Sequence, residues 1–69
     1  MFRRHAEFLK TAFVYGQRVS FTVSQEGDQW FSRGQFEGRE LRIDDAPGPN
    51  AAVALWLCEA RRIWQASNA

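Results

Sequence analysis

Residues 18–44 read RVSFTVSQEGDQWFSRGQFEGRELRID. Within this stretch apolar side chains return at every second position, the period of a strand with one buried face. Val19, Phe21 and Val23 point one way, against Arg18, Ser20, Thr22 and Ser24. Glu26-Gly27-Asp28 then supplies a turn, with glycine free to take positive φ. Trp30, Ser32, Gly34 and Phe36 share the next inward face, and Phe31, Arg33 and Gln35 the outward one. After a second turn at Glu37-Gly38, Leu41 and Ile43 continue the inward face. The pattern predicts three antiparallel strands, at about 18–25, 29–36 and 39–44. Centring the first loop on Glu26-Gly27 sets Val23 opposite Trp30 and Phe21 opposite Ser32. The second loop sets Gly34 opposite Leu41 and Arg33 opposite Arg42. Both registers gather the large apolar residues on one face, as one-sided burial demands. The small residues Ser32 and Gly34 leave room there for a helix.

Working outward, Asp44-Asp45-Ala46-Pro47-Gly48-Pro49 breaks the alternation and reads as a stiff connector. Asn50 is a suitable N-cap, and a helix is expected over about 51–65. Val53, Trp56, Leu57, Ala60, Ile63 and Trp64 form its apolar stripe. Arg61 and Arg62 would sit in the last turns, where cations complement the helix dipole. Upstream, Phe2, Ala6, Leu9 and Phe13 recur at helical spacing, so a helix is expected over about 2–13. Phe13-Val14-Tyr15 is ambiguous, since its aromatic and β-branched content also suits a strand. The fold class is therefore α+β, in the order α-β-β-β-α, with the C-terminal helix on one sheet face and all of 1–69 in a single small domain.

Composition limits the functional classes. With 14% aromatic residues, the chain has the content of a packed domain rather than a disordered one. Nine basic against eight acidic residues leave a net charge of +1, which argues against bulk charge as a means of holding nucleic acid. No apolar run is long enough to span a membrane. Met1-Phe2-Arg3-Arg4-His5 lacks the apolar run of a signal peptide. A single cysteine, Cys58, suits a reducing compartment, and the expected location is the cytoplasm.

No constellation carries chemistry. His5, Cys58, Asp44 and Asp45 are the best metal-ligand types present, without ligand spacing, so no metal or other cofactor is expected. Cys58 falls mid-helix, away from any helix N-terminus that would activate a thiol, and reads as an inert, buried small residue. Asp44-Asp45 reads as a strand end and turn rather than an acid–base pair. These observations point away from an enzyme.

The element order resembles that of double-stranded-RNA-binding domains, in order and length alone. That family carries a lysine cluster at the start of its last helix, where this chain has Asn50-Ala51-Ala52-Val53-Ala54. Its histidine-bearing loop between the first two strands corresponds here to the acidic Gln25-Glu26-Gly27-Asp28. The resemblance therefore implies a shared layout without the RNA-binding face.

Two surfaces remain for contact. The outward sheet face carries Arg18, Phe31, Arg33 and Arg42, and arginine and aromatic residues are the usual interface anchors. Opposite its core stripe, the last helix carries Ala51, Ala54, Leu55, Cys58 and Arg62, too few charges for a purely solvated face. Either the N-terminal helix or a second molecule, a homodimer included, would cover it. The expectation is a protein-binding module, such as a small inhibitor of a host protein complex of the kind phages and mobile elements encode. The alternative is a nucleic-acid-binding domain that uses the arginine face, where Phe31 would stack on bases.

Overall fold

The computed structural model describes residues 7–68. Four strands precede one helix: β1 (Glu7–Val14), β2 (Gln17–Glu26), β3 (Gln29–Phe36), β4 (Arg39–Ala46) and α1 (Pro49–Ser67). The strands form one antiparallel sheet in the order β1-β2-β3-β4. The α+β class, the meander and the C-terminal helix are as the sequence predicts.

The N-terminal helix is not. Residues 7–14 form a strand paired with β2, and residues 2–6 of the expected helix lie outside the described residues. The reason lies in the spacing. Leu9 and Phe13 are four apart, which places them on one face of a helix and equally on one face of a strand. The β1–β2 hairpin decides between the two. Val14 pairs with Gln17 across Tyr15 and Gly16, whose φ values of 50° and 80° are those of a type I′ turn. Glu37 and Gly38, at 54° and 78°, close the β3–β4 hairpin in the same way. With a strand in first place, the double-stranded-RNA-binding layout is lost.

The registers refine the expected pairing. Gly34 opposes Leu41 and Arg33 opposes Arg42, as anticipated, and Ser32 opposes Ile43 in the same register. Between β2 and β3, however, Val23 opposes Ser32 rather than Trp30. The turn centres on Gly27-Asp28, with Gly27 at φ 64°, so the register moves by two residues and every side chain keeps its face.

β4 also runs beyond its expected end at Asp44. Trp30 opposes Ala46 while Ser32 opposes Ile43, so β4 holds one extra residue, a bulge. Asp45 occupies it at φ 62°, a conformation that aspartate tolerates better than most residues. The expected turn at Asp44-Asp45 is thus a bulge inside the strand, and it returns Ala46 to the buried face.

The helix starts earlier and ends later than expected. Gly48 is the N-cap in extended backbone, without a side-chain cap, and Pro49 follows within the first turn. Asn50 therefore lies inside the helix rather than capping it. Because α1 continues to Ser67, Arg61 and Arg62 fall short of its last turn and do not serve the dipole there. Asn68 closes the helix by donating from its backbone N and its side-chain Nδ2 to the Trp64 carbonyl, at 3.0 and 2.8 Å.

The core lies between α1 and the inward sheet face. Val14, Val19, Phe21, Val23, Phe36, Leu41 and Ala46 of the sheet meet Ala52, Trp56, Ala60 and Ile63 of the helix. The buried stripe is rotated from the expected one. Ala52 is fully buried, while Val53, Leu57 and Trp64 are half-buried at its margins. The room left by Ser32 and Gly34 is filled. Buried Ser32 donates from Oγ to the Ala52 carbonyl at 2.9 Å. The Trp56 ring stacks on Phe21 with centroids 4.2 Å apart, and its edge meets Phe36. Trp56 Nε1 donates to the Leu41 carbonyl at 2.9 Å. Each polar group carried into this core by the helix or the sheet thus finds a partner, as burial requires.

Candidate functional site

Among the described residues no helix covers the outer sheet face. Register places its residues in rows across the strands. Leu9, Thr22, Arg33 and Arg42 form one row, and Glu7, Ser24 and Phe31 the next, which ends at the β4 bulge. Between these rows lies a shallow groove of about 220 Å³, lined by Glu7, Thr22, Ser24, Glu26, Phe31, Arg33 and Arg42. Half-buried Phe31 contributes an aromatic surface, and the two arginines flank it from the neighbouring row.

The arginines are not bare charges. Arg42 Nε donates to Asp44 Oδ1 at 2.9 Å, and that bond holds the guanidinium more firmly protonated than usual. Arg33 Nε lies 3.6 Å from Glu40 Oε2. Like charges placed opposite each other would repel, and an acid beside each offsets this. Both pairs are exposed, so they contribute little to stability. The Arg42–Asp44 hydrogen bond does orient one guanidinium, while the longer Arg33–Glu40 contact only keeps an acid near the other. The groove thus combines an aromatic surface, two arginines, two hydroxyls and the carboxylates of Glu7 and Glu26.

Of the residues singled out from sequence, Phe31, Arg33 and Arg42 come together in this groove. Arg18 shares the outer face but lies near the β1–β2 turn, opposite Phe13 and outside the groove. Leu55 and Cys58 belong to a different surface, the solvent side of α1, where Leu55 is 45% exposed. Cys58 is exposed, not the buried thiol expected, because the N-terminal segment, one of the two covers expected for this face, forms β1 instead. His5 lies outside the described residues.

Sequence reasoning missed the contribution of β1. Glu7 enters the groove only because residues 7–14 are a strand. The same change leaves Phe8, Leu9 and Phe13 exposed by 41%, 68% and 66%. The available signal was the run Phe13-Val14-Tyr15 followed by glycine, which marks a strand entering a tight turn.

Among the described residues no group of three or more His, Cys, Asp or Glu side chains is arranged to hold a metal ion. Nor is any helix there long and apolar enough to cross a membrane. The fold and the groove define a small open-faced α+β domain, a four-stranded meander backed by one helix. Comparison with family models, curated proteins and solved structures gives no match in any of the three.

Proposed function

We propose that this chain is a non-catalytic protein-binding module whose contact surface is the outer sheet face around Phe31, Arg33 and Arg42. The observation that carries this reading is the groove itself, an aromatic surface flanked by two arginines, of which Arg42 is hydrogen-bonded to Asp44 and Arg33 lies near Glu40. Guanidiniums beside an aromatic ring suit a partner surface of mixed charge and apolar anchors. A polyanion would instead meet the carboxylates of Glu7, Glu26, Glu40 and Asp44 on the same face, along with a net charge of only +1. Base stacking on Phe31 remains the second reading because an open sheet with an aromatic ring offers a platform for it. An inhibitor that occludes one face of a larger complex needs only such a surface, which suits a chain of this size. A lone exposed thiol at Cys58 suits a reducing compartment such as the cytoplasm.

The test uses Arg33→Ala and Phe31→Ala. Arg33 is exposed, so its loss should move stability by no more than about 0.5 kcal/mol. Captures from lysate with the wild type and with each variant should differ by a protein that only the wild type retains. Titration with single-stranded and duplex DNA and RNA at low salt should give no saturable signal. Salt-sensitive binding to nucleic acid that Phe31→Ala abolishes would favour the second reading. If Arg33→Ala unfolds the chain, the assignment of inner and outer faces is reversed.

A further inference from the structure

β1 is an edge strand, and among the described residues no strand pairs with its outer side. Natural edges are commonly blunted by charge, proline or a bulge, because their unpaired backbone invites another strand. β1 reads EFLKTAFV and carries none of these devices near its centre except Lys10. Large apolar side chains stand on both of its faces, with Leu9 and Phe13 exposed on the outer face and Phe8 on the inner one.

Backbone direction follows from the turn. In a two-residue hairpin the closing residues, here Val14 and Gln17, are a hydrogen-bonded pair, and bonded pairs alternate from there. Phe8, Lys10, Ala12 and Val14 therefore direct their N–H and C=O groups to β2. Glu7, Leu9, Thr11 and Phe13 direct theirs off the edge.

Two copies of such an edge join antiparallel about a twofold axis, and the side chains select the register. An axis at Lys10 sets Lys10 against its own copy, a like-charge pair. An axis at Leu9 leaves Phe13 without a partner among the described residues. An axis at Thr11 sets Leu9 against Phe13 of the second copy, and Phe8 against Val14. Lys10 then faces Ala12. This register also brings charges together. Glu7 falls beside Tyr15 of the other copy, with its Cα about 12 Å from that of Arg18 for strands about 4.8 Å apart rising about 3.4 Å per residue. An extended glutamate and arginine span that distance, and the contact occurs twice by symmetry.

We propose that β1 pairs with β1 of a second copy of this chain, antiparallel and centred on Thr11, so that two four-stranded sheets become one continuous sheet. The interface is isologous, as closed dimers require. It buries the most exposed large apolar side chains of the described chain. It also places two Phe31–Arg33–Arg42 grooves on the same face of one sheet. The proposal does not depend on what those grooves bind.

Light scattering behind a sizing column, from low micromolar to near-millimolar chain, should show the mass rising to twice 8.0 kDa. Thr11→Pro removes an N–H that points off the edge, so it should retain the wild-type circular dichroism and stay monomeric throughout that range. Leu9→Lys, which sets a charge against Phe13 of the second copy, should do the same if the proline variant fails to fold. In a Cys58→Ser background, Thr11→Cys should cross-link to itself on mild oxidation. Bonded pairs place Cα atoms about 5.5 Å apart, within disulfide reach. Lys10→Cys in that background should cross-link far less. A wild type that stays monomeric at near-millimolar concentration overturns the proposal, as does a folded Thr11→Pro or Leu9→Lys that remains dimeric. Preferential cross-linking through Lys10→Cys overturns the register.

Discussion

Trp56→Ala should leave most of the chain unfolded at room temperature. Trp56 is fully buried at the centre of the helix–sheet interface. Its ring covers Phe21 at 4.2 Å and meets the edge of Phe36. Large-to-small changes at such aromatic positions cost about 3–5 kcal/mol, the transfer term plus the cavity. The substitution also deletes the indole N–H that donates to the Leu41 carbonyl, a loss of about 1 kcal/mol. A chain of 69 residues without a disulfide rarely holds more than about 3–5 kcal/mol in total. Circular dichroism with urea titration reads the result. Trp56→Phe, which keeps a ring and loses only the N–H donor and some contact area, should remain folded with a lower midpoint. A cooperative Trp56→Ala transition within about 1 kcal/mol of wild type would mean that α1 does not rest on the sheet through this residue.

Gly34→Ala should be the next most damaging change, although it adds one methyl group. A Cβ on Gly34 would lie 2.6 Å from Phe21 Cβ and 2.9 Å from the Ser20 carbonyl oxygen. Both obstacles sit on or next to the backbone of β2, so neither can swing aside. Overpacking of this kind costs about 1–3 kcal/mol, against a gain of only about 0.5–1 kcal/mol from replacing glycine by alanine within an element. In a domain this small, each kcal/mol lowers the thermal midpoint by about 4–8 °C. An unchanged midpoint for Gly34→Ala would show that β2 and β3 do not approach as closely as described.

These two residues also show what the sequence made legible. The alternation through β2, β3 and β4 placed Phe21, Gly34 and Leu41 on one face, and the spacing of α1 set Trp56 toward them. The small residues Ser32 and Gly34 on β3 predicted the seat of the helix. The first strand was hidden by its own composition. Phe8 and Leu9 are adjacent apolar residues, as are Ala12, Phe13 and Val14, so no alternation marks β1. What remained was a spacing of four, common to both periods. The groove was legible to the extent that it lies on β3 and β4, through Phe31, Arg33 and Arg42. Glu7 was out of reach because its contribution depends on a pairing between β1 and β2. The exposure of Cys58 has the same origin, since the N-terminal segment, one of the two covers expected for that side of α1, joins the sheet.

The Tyr15 turn has a bearing on how the chain reaches this state. Every strand pairs with its neighbour in sequence, so the sheet can zip from its three tight turns, each hairpin forming in about 1–10 μs. One clasp is of another kind. The Tyr15 ring stacks on Trp64 with centroids 4.5 Å apart, and Gln65 donates to its hydroxyl across 50 residues of chain. That contact ties the first turn of the sheet to the end of the helix and closes a long loop of chain. Non-local closure of this sort is what slows folding. The clasp is therefore expected to form late, and the fluorescence of Trp64 beside Tyr15 should settle after that of Trp30, which sits next to the β2–β3 turn.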